Sequence, residues 1–176
     1  MQESHVRQFF KDRKINRILR YVSLPQATVT LMPDPKTKSI PTNKYTDNRL
    51  FYFDWLHKDM GVEKILKVIV DDMEKPHGDE AIEEAIGGTG TLKHSFDVEI
   101  LEWRKVDLCP ETIRRAAPNV TELHLEWSGS NSVLRGWSDP DGLPKLEFLK
   151  QVHLTYTQVC HAQNASKPLR IRSGAV

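Results

Sequence analysis

Short apolar segments alternate with helical patterns over residues 49–157, and this alternation is the strongest constraint on the fold. The segments EKILKVIVDD, SFDVEILEW, TELHLEW and QVHLTY have the length and the β-branched or aromatic content of buried strands. Helical patterns such as DEAIEEAI and PETIRRAA stand between them. Strands that are separated by helices pair in parallel, with right-handed crossovers. The sequence therefore predicts an α/β domain with three or four parallel strands.

The strand segments also recur at a nearly regular interval. Trp103, Trp127 and Tyr156 close three successive segments, and their spacing is typical of leucine-rich repeats, which have periods of roughly 20–29 residues. The apolar spacing L-x-x-L-x-L of such repeats occurs twice, at Val120, Leu123 and Leu125 and at Leu149, Val152 and Leu154.

The repeat pattern is irregular elsewhere. The segment at Val98 fits poorly, because Glu99 falls on a position that should be apolar. Ser128 and Thr157 stand where the Asn of a leucine-rich repeat is expected. We therefore predict irregular leucine-rich-repeat-like βα units, with a small open α/β sandwich as the alternative.

The regions outside this domain have different compositions. Residues 1–24 combine apolar residues at helical spacing with Lys and Arg, which favours a basic amphipathic helix. Residues 25–48 contain several prolines and read as a linker. Residues 158–176 are polar and without periodicity, which predicts a disordered tail.

Composition excludes several classes of function. The formal net charge of +1 gives no general attraction to nucleic acid or to an anionic membrane. No apolar run reaches the roughly 20 residues of a membrane-spanning helix, and the N-terminus lacks the apolar core of a signal peptide. Two cysteines do not make a disulfide framework. We expect a cytoplasmic protein without a membrane span and without a nucleic-acid partner.

The tripeptide Leu-Glu-Trp occurs twice, each time at the end of a strand segment. Glu102 and Glu126 would point away from the apolar face of their strands. The loop after the second copy contains Arg135 and Trp137, and Trp and Arg are common in interface hot spots. The alternative interpretation is that Trp137 packs into the core and holds this loop in place without contacting a partner. The sequence thus predicts a partner-binding surface that comprises Glu102, Trp103, Glu126, Trp127, Arg135 and Trp137.

Other motifs carry weaker signals. Asp71 and Asp72 end a strand and His77 follows, which would suit a hard cation, but no known metal-loop pattern is present. The glycines after Ile86 follow a helix, so they indicate a helix end and not a phosphate-binding loop.

The cysteines and histidines have no zinc-ligand spacing, so we predict no metal site and no cofactor. His124 and His153 alternate with apolar residues on two strands and would be neighbours on the outer face of the sheet. This placement suits a paired-imidazole surface or merely polar outer-face residues.

Three motifs, KVIVDD, VEILEWRKVDLCPETI and HLEWSGSNSVLRGWSDPDGL, give the chain a resemblance to a segment of fungal multidomain proteins that also carry a subtilisin-like serine peptidase domain. The resemblance covers residues 51–154. It implies a non-catalytic accessory region of a cytoplasmic protein, located N-terminal to the peptidase. No catalytic residue carries over, since the chain lacks the histidine and nucleophile motifs of such peptidases.

The sequence therefore predicts a non-catalytic protein-interaction or regulatory module, a truncated member of that family, with a protein partner and no enzymatic activity. One alternative is a fragment of a serine endopeptidase whose catalytic domain is missing. A second is a small metal- or nucleotide-dependent hydrolase that uses Asp71, Asp72 and His77.

Overall fold

The computed structural model describes residues 8–10, 15–25, 48–73, 76–88 and 96–157. Five strands form its sheet: β1 (Ile18–Leu24), β2 (Lys64–Asp71), β3 (Asp97–Val106), β4 (Glu122–Trp127) and β5 (Gln151–Tyr156). Four helices and one 3-10 turn accompany them: α1 (Asn48–Lys58), α2 (Asp79–Gly87), α3 (Pro110–Ala116), α4 (Asn131–Ser138) and the turn Leu143–Lys145.

All the strands are parallel, and their order in the sheet is their order in the chain, β1-β2-β3-β4-β5. The predicted α/β class with parallel strands is confirmed. Four of the described strands, β2 to β5, lie within residues 49–157, where three or four were predicted, and β1 is an additional strand outside that range.

The additional strand, β1, lies in the region that was predicted as an amphipathic helix over residues 1–24. Residues 8–10 are helical, as predicted. The prediction is wrong for Ile18–Leu24, which pair in parallel with β2. Ile18, Leu19 and Val22 satisfy a helical spacing. Leu19, Val22 and Leu24 satisfy the spacing of a repeat strand, and pairing with a neighbouring strand decides between the two. Residues 1–7 and 11–14 of the predicted helix, 26–47 of the predicted linker and the predicted tail 158–176 lie outside the described residues.

The same apolar triplet occurs in each described strand or in the residues just before it. Two residues separate the first and second apolar positions, and one residue separates the second and third. The spacing at Val98 was misjudged, because Leu101 and not Glu99 takes the second position and faces the core. The five triplets are Leu19/Val22/Leu24, Ile65/Val68/Val70, Val98/Leu101/Trp103, Val120/Leu123/Leu125 and Leu149/Val152/Leu154.

One face of the sheet carries the core. The inward side chains of β2, β3 and β4 belong to the same buried cluster as the apolar side chains of all four helices, so the described helices share one side of the sheet. A sheet whose strand order never reverses produces this arrangement, because every right-handed crossover passes over the same face. Representative members of the cluster are Phe53, Val68, Ile82, Leu101, Trp103, Ile113, Leu123, Leu125 and Trp137.

The helix boundaries follow the local chemistry that predicted them. Gly88 ends α2 in the left-handed conformation, with φ of 66°, and its N–H donates to the carbonyl oxygen of Glu84. This geometry confirms a helix end at Gly88. Pro110 begins α3, where a missing N–H leaves no intrahelical hydrogen bond unmade.

Candidate functional site: the open face of the sheet

The side chains that alternate with the core positions project from the opposite side of the sheet, which we call the open face. No described helix covers it, since the described helices pack on the other side. Strand register aligns its residues in rows across the sheet as far as Glu102 of β3. Beyond Glu102 the register of β3 and β4 shifts, and Val106 is the residue that pairs with Glu126. The open face comprises Tyr21 and Ser23 of β1, Lys67, Ile69 and Asp71 of β2, Ile100, Glu102 and Arg104 of β3, Glu122, His124 and Glu126 of β4, and Gln151, His153 and Thr155 of β5.

Glu102 lies at the centre of a charged network on this face. Arg104 donates to Glu102 Oε1 through Nε at 2.8 Å and through Nη2 at 2.6 Å. Lys67 Nζ lies 3.5 Å from Glu102 Oε2. Partial burial acts to raise the pKa of Glu102, but the hydrogen bonds from Arg104 and the charge of Lys67 outweigh it and hold the pKa below its ordinary value. The same contact with Glu102 raises the pKa of Arg104.

A second cluster lies beside this network on β4 and β5, and we call it the His–His–Glu group: Glu122, His124 and His153. His124 and His153 are directly opposite in the register, and their rings stack with centroids 4.4 Å apart and planes 19° apart. Glu122 Oε1 is 2.7 Å from His124 Nε2 and 3.4 Å from His153 Nε2. One nitrogen of each histidine and one oxygen of Glu122 all lie within 4.8 Å of one another.

Sequence reasoning anticipated only part of this group. The prediction that His124 and His153 are neighbours on the outer face of the sheet is confirmed. Glu122 was missed, and so was the suitability of the three side chains for a metal ion. The available signal was the spacing E-x-H in β4 together with a histidine at the same repeat position of β5.

The six predicted partner-binding residues do not form one surface. Glu102 and Glu126 do lie on the open face, as expected from strand alternation. Trp103 and Trp137 are 1% and 4% exposed and belong to the core. A buried indole cannot contact a partner, so these two residues leave the candidate surface.

Trp137 has a structural reason for its burial. Its indole N–H donates to the carbonyl oxygen of Leu108 at 2.9 Å and so joins α4 to the turn that follows β3. Arg135 lies on the same short helix but is exposed, on the helix side of the sheet. Because Glu102 lies on the opposite side of the sheet, Arg135 and Glu102 do not belong to the same surface.

Trp127 is half-buried at the end of β4. Its indole N–H donates to the carbonyl oxygen of Ser130 at 2.9 Å, and its ring meets the ring of Tyr156 edge to face, with centroids 5.9 Å apart. Trp127 packs against the core from the helix side. It therefore stabilises the turn into α4 and does not contribute to the open face.

The alternative cation site at Asp71, Asp72 and His77 does not assemble. Asp71 belongs to the open face, whereas Asp72 is fully buried. His77 Nδ1 lies 2.7 Å from Asp72 Oδ1. The backbone N–H of His77 and the indole N–H of Trp103 donate to Asp72 Oδ2 at 3.0 Å and 2.8 Å. These donors occupy the carboxylate and join His77 and Trp103 to Asp72.

The charge of Asp72 is stabilised by the same contacts. Burial on its own would raise the pKa of Asp72, but the hydrogen bonds from the His77 ring, the Trp103 indole and the His77 backbone together lower the pKa below its ordinary value of 3.8. An ionised carboxylate only accepts hydrogen bonds, so His77 Nδ1 is the donor. Asp72 and His77 are thus a structural pair.

Comparison with known proteins does not extend this description. No family model matches the sequence, and neither a curated protein nor a solved structure matches the chain. In the described residues, no helix has the length and apolar character that crossing a membrane requires. The resemblance to a peptidase-associated accessory region therefore stays a prediction.

Proposed function

We propose that the protein is a non-catalytic protein-interaction module that binds a partner protein through the open face of its sheet. One observation carries the proposal. The sheet is entirely parallel, yet one of its faces is covered by none of the described helices. Parallel sheets are usually covered on both faces, and solenoid-like folds that leave one face free use it as an extended binding surface.

The chemistry of the open face favours a protein partner over nucleic acid. Glu102 and Glu126 alternate with Lys67 and Arg104 on neighbouring strands. Nucleic acid selects surfaces with a clear excess of positive charge, because each phosphate contact needs a cation. A surface with both signs of charge instead suits the charged and polar side chains of another protein, where complementarity determines specificity.

Two charge reversals test the location of this surface. Arg104 on the open face and Arg114 on α3 each form a 2.6 Å ion pair with a glutamate, and their side chains are 44% and 43% exposed. Arg104→Glu and Arg114→Glu are therefore matched in charge change, pairing and exposure.

The tagged wild-type protein is used to capture binding proteins from an extract of its source organism, and each captured protein is purified and titrated with both variants. We expect Arg104→Glu to weaken binding by at least about 10-fold, because it places a like charge beside Glu102 and opposes a complementary partner. Arg114→Glu should bind as the wild type does. Equal affinities for the two variants, or a loss only with Arg114→Glu, would contradict the proposal.

The accessory role beside a subtilisin-like peptidase and the cytoplasmic location belong to the same proposal. A peptidase partner would make the open face a regulatory or targeting surface. A titration of the isolated chain with a recombinant peptidase domain of that family tests this version. Binding by the wild type that is lost in Arg104→Glu would support a peptidase partner. The absence of binding would exclude the peptidase domain as the partner, and the open face would then have to bind a different protein.

A further inference from the structure

We propose that Glu122, His124 and His153 bind a divalent transition-metal ion of the zinc class. The proposal goes beyond partner binding and stands without it. It rests on the geometry of three side chains on two adjacent, hydrogen-bonded strands.

The backbone holds the three side chains together. His124 and His153 occupy paired positions of β4 and β5, and neighbouring strands lie about 4.8 Å apart. Glu122 is two residues before His124, so both project from the same face of β4. Because the group is formed by regular strands, no loop has to close to assemble it.

The donor atoms converge at distances close to those of a metal site. Zn²⁺ takes imidazole nitrogen at about 2.0–2.1 Å, so two ligands of a tetrahedral site are about 3.3 Å apart. His153 Nε2 and Glu122 Oε1 already have this separation, at 3.4 Å. His124 Nε2 is hydrogen-bonded to the same oxygen at 2.7 Å, and a metal ion would replace that proton and open the contact.

The ligand types select the metal. Two imidazoles and one carboxylate suit Zn²⁺, Cu²⁺, Ni²⁺ and Fe²⁺ better than Mg²⁺ or Ca²⁺, which prefer oxygen ligands alone. Three protein ligands leave at least one coordination position open. All three side chains are partly exposed on the open face, so water or an external ligand can take that position.

Glu102 lies next to the group but is not counted among the ligands. It is paired with His124 in the register of β3 and β4. Its carboxylate is held by Arg104 and Lys67.

The full-length protein is titrated with Zn²⁺ in a calorimeter and with Co²⁺ in a spectrophotometer, since Co²⁺ takes the same ligands and its visible absorption reports coordination geometry. The test variants are Glu122→Gln, His124→Gln and His153→Gln. Glu126→Gln removes another open-face carboxylate of β4, and His57→Gln removes an imidazole outside the group, so these are the controls.

We expect the wild-type protein to bind one ion at this group. Each test variant should lose more than about 10-fold in affinity, which is the lower end of the loss seen for residues that only support ligands. Both control variants should bind as tightly as the wild type. Undiminished binding by the test variants, or no saturable binding by the wild type, would overturn the proposal.

Nuclear magnetic resonance of the wild-type protein provides a second readout that does not depend on the folding of any variant. Zn²⁺ should shift the ring resonances of His124 and His153 together and leave those of His57 in place. Shifts confined to other histidines would overturn the proposal. None of these outcomes depends on a protein partner, so failure of the metal site and failure of the proposed function are distinguishable.

Discussion

Trp103 and Trp127 end the same tripeptide, Leu-Glu-Trp, but their environments differ. Trp103 is 1% exposed, stacks on Phe53 with centroids 6.0 Å apart and donates to the buried carboxylate of Asp72. Trp127 is half-buried and donates to a backbone carbonyl of its own turn. Trp103 belongs to the central strand β3, whose neighbouring elements bury its ring. Trp127 belongs to β4, which lies next to the exposed edge strand β5.

This difference shows that position in the sheet determines the role of a repeated residue. Val152 and Leu154 of β5 occupy core-facing repeat positions but are 37% and 52% exposed. The strands β3 and β5 thus share the same repeat pattern, but the core-facing side chains of β3 are buried and those of β5 are exposed. We infer that stability is concentrated around β2 and β3.

The largest expected effect separates the two tryptophans. Trp103→Ala should lower the free energy of unfolding by about 3–5 kcal/mol, because it leaves a large cavity and removes a donor from Asp72. Trp127→Ala should cost about 1–2 kcal/mol, since only part of its ring is removed from water. Urea denaturation of both variants measures the difference. Equal losses would contradict the assignment of Trp103 to the core and Trp127 to its margin.

Asp72→Asn tests the contact that distinguishes Trp103. Three donors converge on two carboxylate oxygens, and an amide offers only one acceptor oxygen, so we expect a loss of about 1.5–3 kcal/mol at neutral pH. Asp107→Asn is the control, because its Oδ1 still accepts from the backbone N–H of Ser128 and Asn tolerates the positive φ of 58° found there.

Acid should reduce the difference between Asp72→Asn and the wild type. The pKa of Asp72 is lower in the folded state, so its contribution to the free energy of unfolding is complete above the ordinary pKa of 3.8 and is lost as the pH falls through the folded-state pKa. Denaturation of both proteins across this acidic range is the measurement. A constant difference down to the lowest pH would show that the charge of Asp72 is not involved.

The smallest expected effect concerns the margin around Trp127. Gly129 has φ of 93°, and a methyl group there would lie 3.0 Å from the ring of Tyr156. Gly129→Ala should therefore cost about 1–2 kcal/mol. Gly136→Ala should instead stabilise α4 by about 0.5–1 kcal/mol, because nothing lies within 4 Å of the added carbon and a helical glycine is unfavourable. Thermal denaturation measures the change in stability for both variants. Stabilisation by both substitutions, or destabilisation by both, would contradict this description.

The fold was largely predictable from local pattern. The periodicity of β2 to β5 and the end signals of α2 and α3 identified those elements, because a buried parallel strand and a capped helix differ in their sequences. β1 was missed because Ile18, Leu19 and Val22 fit a helical spacing, while Leu19, Val22 and Leu24 fit a repeat strand. Only pairing with β2 distinguishes the two.

The site was less predictable, because it depends on contacts across strands. Strand alternation correctly assigned Glu102 and Glu126 to the open face. It could not show that Trp103 is buried by Phe53, which is distant in the sequence. The convergence of Glu122 with His153 depends on the register of β4 and β5, which no linear spacing specifies.

The availability of the open face is the central claim, and thiol labelling of the full-length chain tests it most directly. Ile100→Cys places a thiol at the centre of the face, and Asn119→Cys provides an exposed reference in a turn, both with Cys109 and Cys160 replaced by Ser. We expect the maleimide labelling rate at position 100 to lie within about 10-fold of the rate at position 119, since no local opening should be required. Labelling at position 100 that is slower by about 100-fold or more, and that urea accelerates, would show that this face is covered and would contradict the account.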